Sequence, residues 1–372
     1  MTRSFLEPNL IGIISLSSIG SVPLHLSTIW IERLSGEDGF TYTEANAALS
    51  AYFLGQIIAA AVPVLRPVRL TGRVVLVLSV LLVSFLSLSN SSASPPALLL
   101  VWLLVGLCCG GLIYAGFRAA SDAANVKRVF AVRLSISLVV SGVVAFLIYV
   151  RGDQASYPSA ILTMIVVLVA IILLSARNAS KAEWSDRSSD AALGPAHLNW
   201  RSVIALTTIF VLFAGQIAFL ANAGLYIATS TSWLNATSLA TAVAKGAVGI
   251  LLMFAFFIYR KWSGRSVLVV VGALIASILA MYSGKVFVIV VAGFVLFELS
   301  FNILSSIMFG DVSDRTSGYM QRMILFSALA GGFAGPFLAG LFLDRGLEFA
   351  PVAMALTSAV VVLSWRKLAV AD

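Results

Sequence analysis

The sequence predicts an all-α membrane protein with twelve transmembrane helices in two six-helix pseudo-repeats. Three observations carry this: the composition, the one-sided placement of the basic residues, and a loop that occurs twice. Of 372 residues 60% are hydrophobic and 11% charged, with a mean hydropathy of +1.02. A soluble domain carries roughly 45 to 50% apolar and about 25% charged residues, because water has to be faced by something. The composition therefore excludes a water-soluble globular enzyme. At about 20 apolar residues per helix the chain furnishes about eleven or twelve spans, which leaves no room for a separate catalytic or binding domain.

Apolar runs bounded by polar punctuation fall at residues 9–30, 45–65, 74–88, 97–116, 132–150, 160–176, 203–229, 239–259, 267–282, 286–309, 323–343 and 352–365, the third, ninth and twelfth being short. Basic residues punctuate every second gap. Arg3 precedes the first span; Arg66, Arg69 and Arg73 separate the second from the third; Arg118, Lys127, Arg128 and Arg133 separate the fourth from the fifth. Arg177, Lys181, Arg187 and Arg201 follow the sixth, Arg260, Lys261 and Arg265 the eighth, Arg315 and Arg322 the tenth, and Arg366 and Lys367 the twelfth. With the N-terminus in the cytoplasm, 19 Lys and Arg residues lie on that side and four (Arg33, Arg151, Lys285, Arg345) on the other. That asymmetry predicts twelve spans with both termini cytoplasmic, in the cytoplasmic (inner) membrane. The first stretch contains Pro23 and His25 and lacks a small-x-small cleavage site, so it reads as a retained helix rather than a signal peptide.

The longest loop, residues 177–201, has the Ser, Asp, Ala, Gly and Pro content of a solvated linker. It divides the chain into an N-terminal six-helix bundle (1–176) and a C-terminal one (202–372). Arg69-Leu-Thr-Gly72-Arg73-Val-Val-Leu-Val after the second span is matched, 192 residues later, by Lys261-Trp-Ser-Gly264-Arg265-Ser-Val-Leu-Val after the eighth. A duplicated six-helix unit accounts for both the linker and the match.

Two six-helix halves, a central linker and a basic Gly turn between helices two and three resemble the major facilitator superfamily. The resemblance covers the whole chain as architecture and only part of the motif. The family's loop reads Gly-x-x-x-Asp-Arg-x-Gly-Arg-Arg. Gly72 and Arg73, then Gly264 and Arg265, match it as gating loops, whereas Arg69 and Lys261 stand where the Asp is expected. The fourth span lacks the arginine that many proton-coupled members carry near its start. The Gly-x-x-x-Gly-Pro string of drug/proton antiporters is missing from the fifth span and occurs in the eleventh, as Gly331 to Pro336, which weakens that label.

Ionisable residues inside spans are costly and mark sites by default. His25, Lys245 and Glu298 are the clear cases, while Arg118 and Arg133, at span ends, read mainly as interfacial anchors. Ser18, Ser21, His25 and Thr28 share one helical face, as do Ser238, Thr241 and Lys245, and Glu298, Asn302 and Ser305. The resemblance implies that the first, fourth, seventh and tenth helices line a central cavity, which makes His25 and Glu298 the proton-coupling candidates. Lys245, Thr241 and Asn302, with Gln216 and Asn222 of the seventh span and Tyr114 of the fourth, are the substrate-binding candidates. A carboxyl or imidazole group held away from water can exchange one proton per cycle near neutral pH. Two readings stay open for Lys245: a static ion pair with Glu298, or a contact to an anionic substrate. His25 can equally be a hydrogen-bonded packing residue. The glycine pairs Gly106/Gly110 and Gly331/Gly335 suit sliding contacts between halves or static packing.

The expected function is a secondary transporter working by alternating access, with proton-coupled movement of a small organic solute. The charges favour an anionic, zwitterionic or neutral polar solute. The alternatives are an exporter of lipophilic compounds by proton antiport and a non-transporting receptor of the same fold. Two histidines (His25, His197), no H-E-x-x-H helix, no nucleophile elbow and no nucleotide loop argue against an enzyme. Adjacent Cys108 and Cys109 read as packing residues. No cofactor, metal or nucleic acid is expected; the partners are the solute, protons and the bilayer, and the chain is expected to be a monomer.

Overall fold

A computed structural model describes residues 8–36, 40–65, 71–90, 94–121, 126–152, 156–180, 200–231, 233, 235–258, 264–314 and 318–369. The central linker between 181 and 199, with Arg69 and Lys261, lies outside the described residues. Among the described residues fifteen helices follow one another: α1 Pro8–Ile19, α2 Val22–His25, α3 Ser27–Gly36, α4 Tyr42–Leu65, α5 Gly72–Ser89, α6 Pro95–Ser121, α7 Val126–Val150, α8 Tyr157–Ala179, α9 Trp200–Ala221, α10 Ala223–Thr229, α11 Ala236–Ile258, α12 Gly264–Ser283, α13 Phe287–Asp314, α14 Gly318–Leu343 and α15 Ala350–Ala369. Among the described residues nine helical stretches are long and apolar enough to cross a membrane, and three shorter apolar helices accompany them (Asn9–Ile19, Val267–Ser283, Ala350–Ser364).

Two spans expected to be continuous are broken. The first divides at Gly20–Ser21 and again at Leu26. Pro23 has no N–H to continue the ladder and Gly20 weakens it, so the chain turns there. The seventh divides at Asn222, whose φ of −104° and ψ of 9° leave the helical region. A broken backbone at membrane depth must find partners inside the protein. The polar residues around both breaks supply them.

The same pairings recur in the two parts of the chain. Helix α4 packs on α6 as α11 does on α13; α1 packs on α7 and α8 as α9 does on α14 and α15; α5 packs on α6 and α8 as α12 does on α13 and α15. Two long seams, α7 against α11 and α4 against α14, join the parts. Gly142 is pressed on the backbone of Gly246 and Ala242, so no side chain separates α7 from α11 there.

The paired glycines read from the sequence do not lie at these seams, which corrects the sliding-contact reading. Gly106 and Gly110 meet Tyr52 and Gln56 of α4, and Gly331 and Gly335 meet Phe210 and Ala214 of α9, each within one part of the chain. At one end of the bundle Gly72 opens α5 hard against the carbonyl of Ala179, and Thr71 caps that helix through Val74 N–H. Arg73 beside it is exposed. The outward faces are apolar: Val77 and Val80 on α5, Leu173 and Leu174 on α8 and Val269 on α12 all point away from the protein. Lipid chains are the solvent such a surface fits.

Candidate functional site

Lys245, midway along α11, donates to Glu298 Oε1 of α13. The two side chains are 0% and 1% exposed. One turn on, Asn302 Nδ2 donates to the Glu298 carbonyl at 2.7 Å and to its Oε2 at 3.3 Å, so the carboxylate is held on both oxygens. Thr241 and Ser238, on the same face of α11 as Lys245, are buried, and their hydroxyls have no hydrogen-bond partner among the described residues. Ser305 Oγ on α13 is in the same condition.

Facing this pair is the break in the first span. His25 ends α2, is 92% buried by its 8% exposure, and its Nε2 has no partner among the described residues. Lys245 and Arg133 both lie close enough to act on it electrostatically. Arg133 is not the interfacial anchor the sequence suggested. It is buried on α7, its Nη2 donating to the Ser17 carbonyl at 3.2 Å and to Ser21 Oγ at 3.0 Å, and Ser18 Oγ returns a bond to the Arg133 carbonyl at 3.0 Å. Tyr52 OH donates to the Gly20 carbonyl at 3.0 Å, and Trp30 Nε1 to that of Pro23 at 2.9 Å. These bonds hold the backbone opened at Gly20 and Pro23. The Ser18, Ser21, His25, Thr28 stripe therefore spans a break instead of one continuous face.

The break in the seventh span is held from the other part of the chain. Asn222 and Asn46 of α4 exchange amide bonds of 3.0 and 3.1 Å, and Thr28 Oγ1 donates to the Leu220 carbonyl at 2.7 Å. Nearer the end of the bundle Arg33 Nη2 donates to Asn235 Oδ1, and Tyr226 OH to the Glu348 carbonyl at 3.1 Å. Asp344, beyond the end of α14, accepts the backbone N–H groups of Tyr42 and Thr43 at 2.9 Å each and so caps α4. Partial burial works to raise the Asp344 pKa; hydrogen bonds from Thr43, Tyr42 and Thr41 outweigh it and hold the carboxyl below its ordinary value.

Of the residues singled out from sequence, His25, Lys245, Glu298, Asn302 and Thr241 come together. Asn222 sits higher, in the seam with Asn46. Gln216 turns away to α15, donating to the Ala355 carbonyl at 3.0 Å and Ser358 Oγ at 2.7 Å. Tyr114 is partly buried on α6. Gly264 and Arg265 open α12, and their side-chain environment lies outside the described residues. Arg133, Asn46 and Tyr52 were missed. For Asn46 the signal was present: an amide inside an apolar run needs a partner there as much as a charge does.

No protein-family profile matches the chain, and no curated protein does. Solved structures do. The nucleoside transporter NupG, in a single-substitution form, superposes with a TM-score of 0.75 at 12% identity, over 96% of this chain and 99% of that one. A bacterial homologue of the human lysosomal transporter Spinster, in an inward-facing and occupied conformation, superposes with a TM-score of 0.65 at 12% identity, over 96% of each chain. A structure concerned with substrate recognition in proton-dependent oligopeptide transporters gives 0.65 at 12% identity, over 97% and 99%. The chain shares the fold of these structures over nearly its whole length.

Proposed function

We propose that a chain of this fold works as a secondary active transporter, carrying a small anionic, zwitterionic or neutral polar solute by alternating access. The observation that carries the proposal is the buried Lys245–Glu298 pair facing His25 across the meeting of the two parts of the chain. Such a pair is expensive to hold inside a membrane protein and has a use where ligands or protons are exchanged.

In this reading the chain makes twelve passes. Residues 1–176 and 202–372 form two six-helix units related by an approximate two-fold axis, joined by the cytoplasmic linker 177–201, with both termini cytoplasmic in the inner membrane. The recurring helix pairings and the 192-residue match support it. The broken first and seventh spans place irregular backbone beside the site, as transporters use it. Glu298 carries the proton, with His25 as the second candidate: when Lys245 is drawn to the solute, the carboxylate takes a proton in place of its partner. Protein reconstituted into liposomes should show counterflow of a labelled solute and accumulation driven by a pH gradient. Glu298→Gln should retain the exchange and lose the accumulation. Gradient-driven accumulation by Glu298→Gln together with His25→Ala would remove the proton assignment, and absence of counterflow with every bound solute would remove transport.

A further inference from the structure

Helix α11 packs mainly on α7, where Gly142 meets the backbone of Gly246, and beside α13 it leaves an outward-facing apolar groove of about 410 Å³. On α13 the floor of the groove is a row at four-residue spacing, Phe287, Val291, Val295 and Leu299, all half-buried, and Val243 of α11 stands across it. Residues four apart share one helical face, so the row runs along the helix axis. From Phe287 to Leu299 it extends about 18 Å at 1.5 Å per residue. The hydrocarbon core of a bilayer is about 30 Å thick, so one leaflet is about 15 Å deep, and the groove reaches through one leaflet. Its inner end closes where Val295 and Leu299 pack on the cluster of Leu138, Val248 and Leu252.

The outer end differs in chemistry. Trp233, 62% exposed, packs its ring on that of Phe287 with centroids 5.3 Å apart, and the exposed Lys285 lies just before Phe287 in the chain. An indole and an ammonium together at the end of a span mark headgroup depth, where Trp is enriched and a basic side chain attracts anionic lipid. An occupant that fits is apolar over one leaflet and negative at its outer end. A second transmembrane helix fits less well, because close helix pairs need small residues four apart and the floor row has none. We propose that the groove between α11 and α13 binds one anionic phospholipid, an acyl chain lying on the row from Phe287 to Leu299 and the phosphate meeting Lys285 beside Trp233. The Lys245–Glu298 pair joins the same two helices inside the protein, so the lipid and the ion pair brace one wall together. The site does not depend on what solute the chain carries.

Native mass spectrometry of the purified protein in dodecyl maltoside, with phosphatidylglycerol and phosphatidylcholine of the same chain length added at equal mole fraction, provides the test. One phosphatidylglycerol should be retained over phosphatidylcholine by about fivefold, the weight of a single lysine at an anionic surface. It should also raise Tm saturably, since a ligand bound only to the folded state stabilises it. Lys285→Gln should remove the preference and leave the fold intact, because Lys285 is exposed. Ala292→Trp, on the exposed rim of the groove, should fill it and release lipid of either headgroup. Val269→Trp adds similar bulk to the outward face of α12, away from the groove, and should change nothing. If Ala292→Trp does not fold, Lys285→Gln alone decides. Lipid retained equally by Ala292→Trp and the parent is annular lipid only and overturns the site. Equal retention of the two lipids by the parent, or a preference that survives Lys285→Gln, overturns the anionic assignment. A protein dimer that retains no lipid and is broken by Ala292→Trp would give the groove to a second copy of the chain instead.

Discussion

Thr28 donates its hydroxyl to the carbonyl of Leu220, and the two residues are 192 positions apart. That is the spacing of Gly72 and Gly264 in the duplicated loop. On the proposed two-repeat reading these positions are equivalent, and equivalent positions touch only near a two-fold axis, so the bond is expected to lie where the two parts of the chain would turn about each other. It lies beside both helix breaks. Thr28→Val keeps the shape and removes the donor, leaving the carbonyl unpaired. Interhelical bonds of this kind average about 0.6 kcal/mol, so the fold should survive while the closed seam weakens. Labelling of a cysteine at Ser27 by a membrane-impermeant maleimide should then be faster than in the Thr28 background; equal rates would deny the bond a role in closure.

Asn46 and Asn222 test the same seam independently. Each amide donates to the other, so the partner of either one is left half-satisfied by a single substitution. A double-mutant cycle of Asn46→Ala and Asn222→Ala, followed by thermal unfolding, should give a coupling of about 0.6 to 1.7 kcal/mol. Additive losses would mean that the pair is a coincidence of packing.

How far the sequence reaches is visible at these same residues. Hydropathy placed the spans, because a lipid-facing helix must be apolar over its length; the seventh and eleventh, Val203–Thr229 and Met323–Leu343, fall at the bounds read from composition. The charges within them pointed to the Lys245, Glu298 and His25 cluster. Hydropathy is blind to a break, since Asn222 sits in an apolar run whose average hardly registers one amide. It is equally blind to direction: Gln216 and Asn222 are six residues apart on one span, and only packing sends the first to α15 and the second to α4. Arg133 looked like an end anchor because spans are counted along the chain, whereas its depth is fixed by the neighbouring break that needed a donor.

The Asp344 cap predicts an acid limit. Its carboxyl is held below the ordinary value of 3.8, so the bonds to Tyr42 and Thr43 contribute fully above about pH 4 and are lost as pH falls through the lowered value. Between pH 5 and 8 the Asp344 carboxyl stays ionised and keeps both bonds. Stability from this cap should be flat over that range. Asp344→Asn, which replaces one acceptor oxygen by a donor NH2 and removes the charge, should lower Tm at pH 7 and remove part of the decline below pH 4; an unchanged acid limb would show that the cap contributes nothing to it.

Close approach at the α7–α11 seam can be tested against a control glycine. A methyl group on Gly142 would press on the backbone of Gly246, whereas one on Gly272 would meet nothing. Gly142→Ala should lower both Tm and transport rate, because the two helices must separate. Gly272→Ala should be neutral or stabilise by about 0.5 to 1 kcal/mol through helix propensity. Equal effects would show that the seam tolerates a side chain.

The Lys245–Glu298 pair ties α11 to α13 in the interior. Both groups are buried, and Asn302 holds the second carboxylate oxygen, so removing Lys245 strands a charge that still has one hydrogen-bond donor but no counter-ion. Breaking such a pair from one side costs about 3 to 5 kcal/mol, whereas replacing both members with apolar residues of similar size is often neutral. Lys245→Met should therefore lower Tm markedly, and Lys245→Met with Glu298→Leu should recover much of the loss while abolishing proton-driven accumulation. Glu298→Gln separates charge from shape: it keeps the hydrogen bonds to Asn302 and Lys245 in part and leaves Lys245 as the uncompensated group. It should destabilise the protein by leaving that cation buried. Melting curves of the three variants decide the matter. If Lys245→Met is as stable as the parent, the pair is not what holds α11 to α13 at this depth.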